Sequence, residues 1–481
     1  MIGSDTLRYD RVDNRSYHRT LTPNINKLRA NGLLLNNCIT PLARTAPAIA
    51  SLFTGLWPHH HKIRDNYPYE ADCKLQQPSL VDILNDQGYR TAVISDWSGG
   101  DFAKLSFNFK ETSLPEDQWN IKLLLRQGPS LIRSFISLFT NNELGKRFLP
   151  ELYYLAGVPL VRQLGLECRQ LMARSGEKGR PFFINLFTSA THVPFNSEYP
   201  YYNLFTPKDY KGESRFIMTR LASAEEIINK QERGAESFDV QQIINLYDSC
   251  VKQFDDEVGK IVDYIEKSGL TDNTIIIIYS DHGADFFETG SWGQGNTLVG
   301  NDPSGRIPLV IKGPGIPKGM DFPYISRTID IMPTLLNLLD IPIPTTLDGV
   351  NLMPFINSKT SPELFAFQET GIWLGKIPGL HPEQILYPNI AELLDIPNRK
   401  TGTLVVNEKY YPTVIRAKSR SIQNEKWKLI YLSTYSGPVY QLYDLECDPY
   451  RDVLDQYPDI VSLLKAALEN HMSNDTGFQQ N

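Results

Sequence analysis

Cysteine is scarce in this sequence, and its scarcity argues against two classes of protein. The 481 residues include five cysteines, at positions 38, 73, 168, 250 and 447, none of them close to another. The odd number and the wide spacing argue against a disulfide framework and against a cysteine-based zinc knuckle. Long apolar runs are missing too, since no run reaches the roughly 18 residues that a transmembrane helix needs.

An excess of basic residues is also absent. The formal net charge is −7, whereas binding to the phosphate backbone of a nucleic acid favours a basic surface, so we expect no nucleic-acid partner. Hydrophobic residues make up 41% of the chain and charged residues 21%, which is typical of a globular protein in water. The length is enough to bury a large core and predicts two or three domains.

The first predicted strand has fewer apolar residues than such strands usually have. The opening "MIGSDTLRYD" has only two before a Gly-Ser-Asp turn, whereas a buried parallel strand usually has about four to eight. We therefore expect the chain to begin inside its first strand, with a truncated N-terminus. The chain as written is that of a soluble protein with no signal peptide, and any targeting or membrane segment upstream would be lost.

Short apolar strands alternate with helices over most of the chain. The clearest predicted helix covers residues 247–270, and the clearest predicted strands are Thr91–Ser95, Phe182–Phe187, 273–283 and 306–315. Continuous apolar strands between helices are typical of a sheet that is covered on both faces. The pattern therefore predicts an α/β fold with a mostly parallel sheet flanked by helices.

Other stretches depart from this alternation. Residues 112–180 look helical, with no obvious strand, and short strands over 426–445 precede a closing helix over 458–472. We therefore predict a catalytic α/β domain over 1–350, with a helical insert at about 112–180. A smaller C-terminal α+β subdomain, with antiparallel strands and the closing helix, is predicted over 351–481.

Polar residues follow three of the predicted strands. Asp5 follows the first strand, Asp281 and His282 end the most apolar one, "IIIIYSDHG", and His192 follows Phe182–Phe187. Ligands bind at the carboxyl ends of the strands in open α/β sheets, so we expect these side chains at one edge. Two carboxylates and an imidazole suit one divalent cation, and they do not separate Mn, Zn, Ca and Mg.

Thr45 precedes a predicted helix, Ala48–Phe53, after a loop. An alcohol is a weak nucleophile because it stays protonated near neutral pH, and coordination to a metal ion stabilises and orients its alkoxide. The N-terminus of a helix also favours a bound anion. Thr45 is therefore a candidate nucleophile and metal ligand.

Each of these residues also has a structural interpretation. A threonine before a helix is often its N-cap, and Asp-His-Gly after a strand is often only a turn. A lone His192 beside a proline is often an ordinary surface or core residue, and we expect the three histidines 59–61 to end a helix rather than to bind metal. The functional interpretation is favoured because the polar residues occur together at strand ends of one predicted sheet.

Several segments, in order along the chain, resemble the sulfatase-like branch of the alkaline phosphatase superfamily. "SDTLRYD" resembles the first metal-binding loop, "TAPAIASLFTG" the nucleophile motif, and "IIIIYSDHGADF" the second metal loop. The resemblance implies an alkaline-phosphatase-like fold in which Asp5, Asp281 and His282 hold the metal. It also implies that Thr45 is both ligand and nucleophile, and that His192, in "THVPF", contacts the bound ester or its leaving group.

The same resemblance extends to the substrate pocket. Asn66, in "IRDN", matches a polar pocket residue, and Gln294 occupies a position where the family has a Lys or His, so both are expected to bind substrate. Basic residues of the family are replaced by Ile49, Asp96 and Ser98. Several charges that hold a sulfate are therefore missing, and each lost charge-assisted contact weakens anion binding by about 1.5–3 kcal/mol.

The nucleophile also departs from the sulfatase pattern. Sulfatases convert a Cys or Ser to formylglycine, and Thr45 lacks the primary carbon that this conversion requires. A threonine resembles instead the phosphodiesterase and phosphoryl-transferase branches, whose "T-x-P" and "T-G-x-x-P-x-x-H" patterns occur here. Two-metal members of those branches have an Asp four residues before the His, where this chain has Thr188 before His192, so one metal ion is expected.

The sequence therefore predicts a metal-dependent hydrolase or transferase that acts on phosphate or phosphonate esters through a threonine nucleophile. Two alternatives stay open. One is a sulfuric ester hydrolase, a sulfatase that uses threonine in a nonstandard way, and the other is a catalytically degenerate binding protein of the same fold. The expected partner is a small-molecule or lipid-linked anionic ester.

One stretch of the predicted insert is basic and amphipathic. Residues 121–139 place Lys122, Arg126 and Arg133 among leucines, isoleucines and phenylalanines, with a Gly-Pro pair that predicts two short helices. Such helices can pack over the main domain as a lid. Basic amphipathic segments also lie on lipid surfaces, so membrane contact is the second interpretation.

Overall fold

Two main β-sheets organise the part of the chain that the computed structural model describes: residues 1–12, 17–115, 136, 139–149, 159–176, 179–218, 234–373, 376–475 and 477–478. The strands there are β1 Ile2–Ser4, β2 Leu33–Ile39, β3 Arg90–Ser95, β4 Glu111–Ser113, β5 Phe182–Thr188, β6 Ile276–Tyr279, β7 Asp285–Phe286, β8 Trp292–Gly293, β9 Arg306–Lys312, β10 Met320–Arg327, β11 Ala366–Glu369, β12 Leu394–Asp395, β13 Val405–Val406, β14 Arg420–Gln423, β15 Trp427–Leu432, β16 Val439–Asp444 and β17 Asp448–Asp452. The α-helices are α1 Tyr9–Val12, α2 Pro23–Ala30, α3 Thr45–Thr54, α4 Pro58–His61, α5 Leu80–Asp86, α6 Gly100–Lys104, α7 Glu143–Phe148, α8 Val161–Gly176, α9 Val240–Lys267, α10 Ile331–Leu338, α11 Met353–Ser358, α12 Ile390–Leu393, α13 Tyr411–Ala417 and α14 Pro458–Ser473.

Eight of these strands form the larger sheet, in the order β10-β2-β9-β6-β1-β5-β3-β4. β9 pairs antiparallel with β2 and β6, and the other neighbours pair in parallel. The predicted mostly parallel sheet flanked by helices is therefore confirmed. β9 is reversed because the chain from β6 reaches it through the β7–β8 hairpin and loops, without a crossover helix. An antiparallel neighbour needs no such crossover.

Side chains of the central strands alternate between two hydrophobic cores, one on each face of the sheet. In β6, Ile276 and Ile278 face the core that contains α2, α8 and α9, and Ile277 faces the core that contains α3, α5 and α10. Gly3 of β1 lies against an aromatic side chain of β6: a Cβ at Gly3 would lie 2.5 Å from the ring of Tyr279. β1 therefore carries few apolar side chains because rings of its neighbours fill the space.

The smaller sheet has the order β11-β14-β15-β16-β17 and is antiparallel throughout. The strands predicted over 426–445 are confirmed as β15 and β16, and the predicted closing helix over 458–472 is α14, which packs on this sheet. The sequence did not indicate β11, β14 or β17, which flank the pair. The division near residue 350 stays a prediction.

The expectation of no strand over 112–180 is wrong at its first residues. β4 pairs with β3 at the edge of the larger sheet, and its three residues are only partly buried. A short edge strand has no apolar run, so the sequence pattern could not reveal it. Within the stretch 121–139, residues 121–135 and 137–138 lie outside the described part. In the described ranges, no helix has both the length and the apolar character needed to cross a membrane.

Candidate active site

The carboxyl ends of two neighbouring parallel strands bring the three predicted metal ligands together. Asp5 directly follows β1, and Asp281 and His282 follow β6 closely. One ligand atom from each residue lies within 4.8 Å of the others, and all three side chains are buried. Nε2 of His282 is 3.3 Å from Oδ2 of Asp281 and 3.8 Å from Oδ1 of Asp5. Elsewhere in the described ranges no comparable cluster of His, Cys, Asp and Glu occurs.

The chemistry of these atoms fits a divalent cation. Nδ1 of His282 donates to the carbonyl of Gly283 at 2.9 Å, so Nε2 carries the lone pair and faces the carboxylates. Burial lowers the pKa of His282, which favours the neutral ring. Nε2, both oxygens of Asp5 and Oδ2 of Asp281 are buried and have no hydrogen bond of normal geometry in the described part. Buried atoms that only accept need a shared cationic partner.

Further acidic residues surround Asp5. Its pKa is raised well above the ordinary value by burial and then by the charges of Asp281, Asp96 and Asp101, whereas the hydroxyl of Thr45 opposes that shift. Four carboxylates therefore act on one buried region at the sheet edge, and the Thr45 hydroxyl lies close to one of them. Buried negative charge of this density is costly unless a cation joins it.

Thr45 is the first residue of α3 and not its N-cap. The N-cap is Arg44, which has an extended backbone and makes no capping hydrogen bond with its side chain. Asn66 satisfies the helix end from elsewhere in the chain, because its Oδ1 accepts the N–H of Ala46 at 3.0 Å. The helix predicted over Ala48–Phe53 thus begins three residues earlier, and the interpretation of Thr45 as an N-cap is wrong.

The helix that carries Thr45 is fixed along its whole length. All ten residues of α3 are buried, and Gly55 ends the helix with a left-handed φ of 66°. Nδ1 of His61 accepts the N–H of Ile63 at 3.1 Å, so Nε2 donates to the hydroxyl of Ser51 at 2.9 Å. The histidines 59–61 are the last three residues of a separate short helix, α4, so they end a helix as predicted.

His192 and Gln294, predicted from separate segments, are in contact. The amide of Gln294 donates to Nε2 of His192 at 3.2 Å, and Nδ1 of His192 donates to the carbonyl of Val193 at 2.6 Å. Burial, with a smaller effect from His282, lowers the pKa of His192 to about 4, against the hydrogen bond to Val193. His192 is therefore neutral at pH 7, and its Nε2 accepts a hydrogen bond. The edge of Trp97 lies against its ring, 4.8 Å between centroids.

Asp96 stands at one of the positions where the family resemblance places a basic residue. It follows β3, and its carboxylate accepts the N–H of Ser189 at 2.8 Å, the hydroxyl of Thr188 at 3.2 Å and the N–H of Leu160 at 3.3 Å. Burial raises the pKa of Asp96, and these hydrogen bonds oppose that shift. Since all three partners donate, they favour the ionised carboxylate.

Three further residues near the site were not predicted. Arg44, directly before Thr45, donates to Oδ1 of Asn296 at 3.1 Å and to the carbonyl of Ile372 at 2.8 Å. Asp101 is fully buried and Lys104 is half-buried, both on α6. Arg44 could have been predicted from the sequence, because a basic residue directly before a candidate nucleophile suggests a role in the site. α6 gave no such signal, because only the tertiary fold places this short helix near the sheet edge.

The profile of the sulfatase family matches residues 1–341, a stretch that contains all of the predicted site residues. The chain belongs to the sulfatase family. This sulfatase-family protein is therefore an ester hydrolase of the alkaline phosphatase superfamily, as the sequence predicted.

Curated relatives of this sulfatase-family protein have names that span different activities. It is 26% identical to the multifunctional alkaline phosphatase superfamily protein PehA of Trinickia caryophylli over 382 residues, 70% of this chain and 71% of that protein. It is 23% identical to arylsulfatase K of Bos taurus over 472 residues, 93% of this chain and 76% of the relative. Identity to the choline-sulfatase of Rhizobium meliloti is 25% over 425 residues, 78% of this chain and 77% of the relative.

Solved structures agree on the fold. The phosphonate monoester hydrolase SpPMH from Silicibacter pomeroyi matches with a TM-score of 0.66 and 15% identity, covering 99% of this chain and 95% of that one. The phosphonate monoester hydrolase of Agrobacterium radiobacter matches with a TM-score of 0.66 and 21% identity, covering 98% and 94%. At such identities the likeness shows the fold and not the substrate.

Proposed function

We propose that this protein is a metal-dependent hydrolase or transferase of phosphate or phosphonate esters, with Thr45 as its nucleophile. The observation that carries the proposal is the position of Thr45. Its hydroxyl lies at the start of a buried helix and does not cap that helix. The hydroxyl is also next to Asp5, whose carboxylate oxygens have no hydrogen bond of normal geometry in the described part. A helix N-terminus favours the negative charge of a bound ester.

Asp5, Asp281, His282 and Thr45 would hold one divalent ion, with Mn, Zn, Ca and Mg as candidates. Such an ion supplies Lewis-acid chemistry, which lowers the pKa of a coordinated hydroxyl and stabilises its alkoxide. The buried acceptor atoms described above support this assignment. The single cluster of ligands in the described ranges favours one ion over two.

The reaction then proceeds in two displacements at phosphorus. Oγ of Thr45 loses its proton as it bonds to phosphorus, the P–O bond to the leaving alcohol breaks, and the leaving oxygen takes up one proton in exchange. The oxygen of water or of an acceptor alcohol then bonds to phosphorus, the bond from phosphorus to Oγ breaks, and the proton of the incoming hydroxyl is taken up by Oγ. His192 and Gln294 serve the ester and its leaving group: neutral His192 orients the Gln294 amide through Nε2, and the second amide N–H of Gln294 donates to an ester oxygen.

A panel of aryl phosphate, phosphodiester, phosphonate and sulfate esters, assayed with added Mn²⁺, tests the proposal. We expect turnover of at least one phosphorus ester and little turnover of the sulfate. The second candidate is sulfate-ester hydrolysis, which the names of arylsulfatase K and choline-sulfatase favour. Preference for the sulfate would establish that candidate. No turnover of any ester by metal-loaded protein would favour a binding protein instead.

α7, a short helix within the predicted insert, bears on whether the ester is carried by lipid. Leu144 and Phe148, one turn apart on α7, are 70% and 66% exposed. Gly145 between them is buried against the preceding turn of chain, where a Cβ would meet the carbonyl of Thr140 at 2.0 Å, whereas the large apolar side chains of α7 face outward. Exposed Leu and Phe beside the basic residue Arg147 favour contact with a lipid surface, which would bring the protein to a lipid-linked anionic ester.

Sedimentation with vesicles of phosphatidylcholine and phosphatidylglycerol tests that contact. We expect binding at low salt that weakens at high salt, and less binding by the double variant Leu144→Ser with Phe148→Ser. Leu463→Ser is the matched control, because Leu463 is 59% exposed on α14. Absence of binding at low salt would leave a soluble ester as the substrate.

A further inference from the structure

Negative side chains outnumber positive ones around the candidate nucleophile. Asp5, Asp281, Asp96 and Asp101 are all buried there. Arg44 is a cation close to Thr45, but it already donates to three acceptors: the carbonyls of Ala43 and Ile372 and the amide oxygen of Asn296. A further positive group from this chain would therefore strengthen the binding of an anionic ester.

Lys104 has spare donors for that role and contacts a residue that also binds the N-terminus of α3. It is the last residue of α6 and is half-buried. Its Nζ donates to the carbonyl of Asn66 at 3.4 Å, a long hydrogen bond, and it forms no ion pair with a carboxylate among the described residues. An ammonium group has three donors, so two remain for another acceptor.

Asn66 is a shared partner of this ammonium and of the N-terminus of α3. Its backbone carbonyl accepts from Lys104, and its side-chain Oδ1 accepts from the N–H of Ala46, the residue after Thr45. One residue thus connects the spare cation to the helix end that carries the nucleophile. α3 has ten residues, so its N-terminus presents a developed partial positive charge.

We propose that Lys104 binds a nonbridging oxygen of the phosphoryl or phosphonyl group while Thr45 attacks. This assignment rests on the proposed function, since it names a second group on the same substrate. The family resemblance places basic residues at the positions of Ile49, Asp96 and Ser98, none of which carries a positive charge. Lys104, on α6, supplies a positive charge in their place. A lysine ammonium is a compact point charge on a flexible stem and suits a single phosphoryl oxygen.

The charge of the substrate determines how much Lys104 contributes. A phosphate monoester carries a second negative charge near neutral pH, whereas a diester carries one. Removal of the Lys104 charge should therefore weaken binding of the monoester and of inorganic phosphate more than binding of the diester. The site without Lys104 should favour diesters.

The experiment compares Lys104→Met and Lys104→Arg with the wild type, all loaded with Mn²⁺. Lys110→Met is the matched control, because Lys110 is an exposed lysine a few residues beyond α6. KM and kcat are measured for p-nitrophenyl phosphate and bis(p-nitrophenyl) phosphate, and the affinity for inorganic phosphate by calorimetry. Melting temperature and metal content show whether each variant is folded and loaded.

We expect Lys104→Met to raise KM for the monoester and Kd for phosphate by about tenfold to a hundredfold, with a smaller change in KM for the diester. Lys104→Arg should restore most of the phosphate affinity, and Lys110→Met should match the wild type. Phosphate affinity of Lys104→Met equal to the wild type, in folded and metal-loaded protein, would overturn the assignment and leave the proposed function standing. Loss of phosphate affinity in a protein whose wild type turns over no ester would support Lys104 and contradict the proposed function.

Discussion

Two groups of buried charges in this molecule are built in opposite ways. The front cluster lies at the carboxyl edge of the larger sheet and consists of Asp5, Asp96, Asp101, Asp281 and His282. The rear cluster joins the larger sheet to the C-terminal sheet and consists of Arg64, Asp65, Glu369, Lys418, Arg420 and Asp475. Both clusters are almost completely buried, so the difference between them lies in how their charges are compensated.

The rear cluster compensates its own charges. Arg64 binds two carboxylates through paired hydrogen bonds, those of Glu369 and Asp475. Nζ of Lys418 lies 3.7 Å from Oδ2 of Asp65 and 3.9 Å from Oε1 of Glu369. Arg420 completes the set, 3.6 Å from Oδ2 of Asp475. Its three basic and three acidic residues therefore balance.

The front cluster has no such balance. It holds four carboxylates, and its imidazole presents a lone pair and not a proton to two of them. A buried cluster that balances itself is a structural element, whereas buried acceptor atoms of Asp5, Asp281 and His282 have no hydrogen bond of normal geometry in the described part and suit a cationic ligand. This contrast favours the front cluster as the candidate active site and the rear cluster as its structural support.

The two clusters are connected through Asp65. Its Oδ1 accepts the N–H of Asn66 and its Oδ2 accepts the N–H of Ile372, each at 2.8 Å. Asn66 in turn holds the N-terminus of α3, and the carbonyl of Ile372 accepts from Arg44. The balanced cluster thus positions the residues on both sides of the candidate nucleophile.

The largest effect is expected at the nucleophile. Thr45→Ala should lower kcat by about a thousandfold or more, since removing the nucleophile of a covalent mechanism has effects of that order. The melting temperature should hardly change, because the Thr45 side chain does not cap α3. Thr54→Ala, at the other end of the same helix, is the control and should keep its activity. If Thr45→Ala keeps a substantial fraction of the wild-type rate, the threonine mechanism is wrong.

Removing one charge from each cluster should have opposite effects on stability in metal-free protein. Arg64→Met leaves Glu369 and Asp475 without their main partner, and we expect it to lower the free energy of unfolding by about 3–5 kcal/mol. Asp5→Asn removes an uncompensated charge, and we expect it to raise that free energy by about 1–2 kcal/mol. Urea unfolding after dialysis against EDTA measures both. A loss of stability in both variants would contradict the view that only the rear cluster compensates its own charges.

The front cluster should also lose its ion when a ligand is changed. Asp281→Asn and His282→Ala should each weaken metal affinity by more than about a hundredfold, since changes in residues that only support ligands already cost about 10–100-fold. Elemental analysis after dialysis, and titration with Mn²⁺, measure the loss. His471→Ala is the control, because His471 stacks on Phe367 away from the ligands. Full occupancy in both variants would show that the ion binds elsewhere.

Sequence reasoning grouped the candidate metal ligands but did not reveal the rear cluster. Asp5, Asp281 and His282 follow strands within one to three residues, so the rule that parallel strands end at one edge was enough to group them. The rear cluster combines Arg64 with Glu369 and Asp475, which are 305 and 411 residues away along the chain. No local pattern signals such pairs. The capping of α3 by Asn66 was missed for the same reason, because the cap comes from a loop after the helix and not from the residue before it.

The smallest effect concerns the pH dependence of the rear cluster. Burial alone would raise the pKa of Glu369, but Arg64 and then Lys418 outweigh it and lower the pKa from 4.5 to about 2. A carboxyl group with a lowered pKa in the folded state stabilises the protein above its unfolded pKa, and that stabilisation is lost as the pH falls from 4.5 towards 2. Between pH 7 and about pH 3.5 the loss from this group should be about 1.4 kcal/mol.

Glu369→Gln isolates this contribution from the other acids. The variant should be less stable than the wild type at pH 7, because Arg64 loses part of its compensation, but its stability should fall less on acidification. The difference between the two unfolding free energies should therefore shrink by about 1.4 kcal/mol over that interval. Urea unfolding of both metal-free proteins at several pH values measures it. A difference that stays constant with pH would mean that Glu369 titrates alike in the folded and unfolded chains, and that the rear cluster does not hold it as an ionised partner.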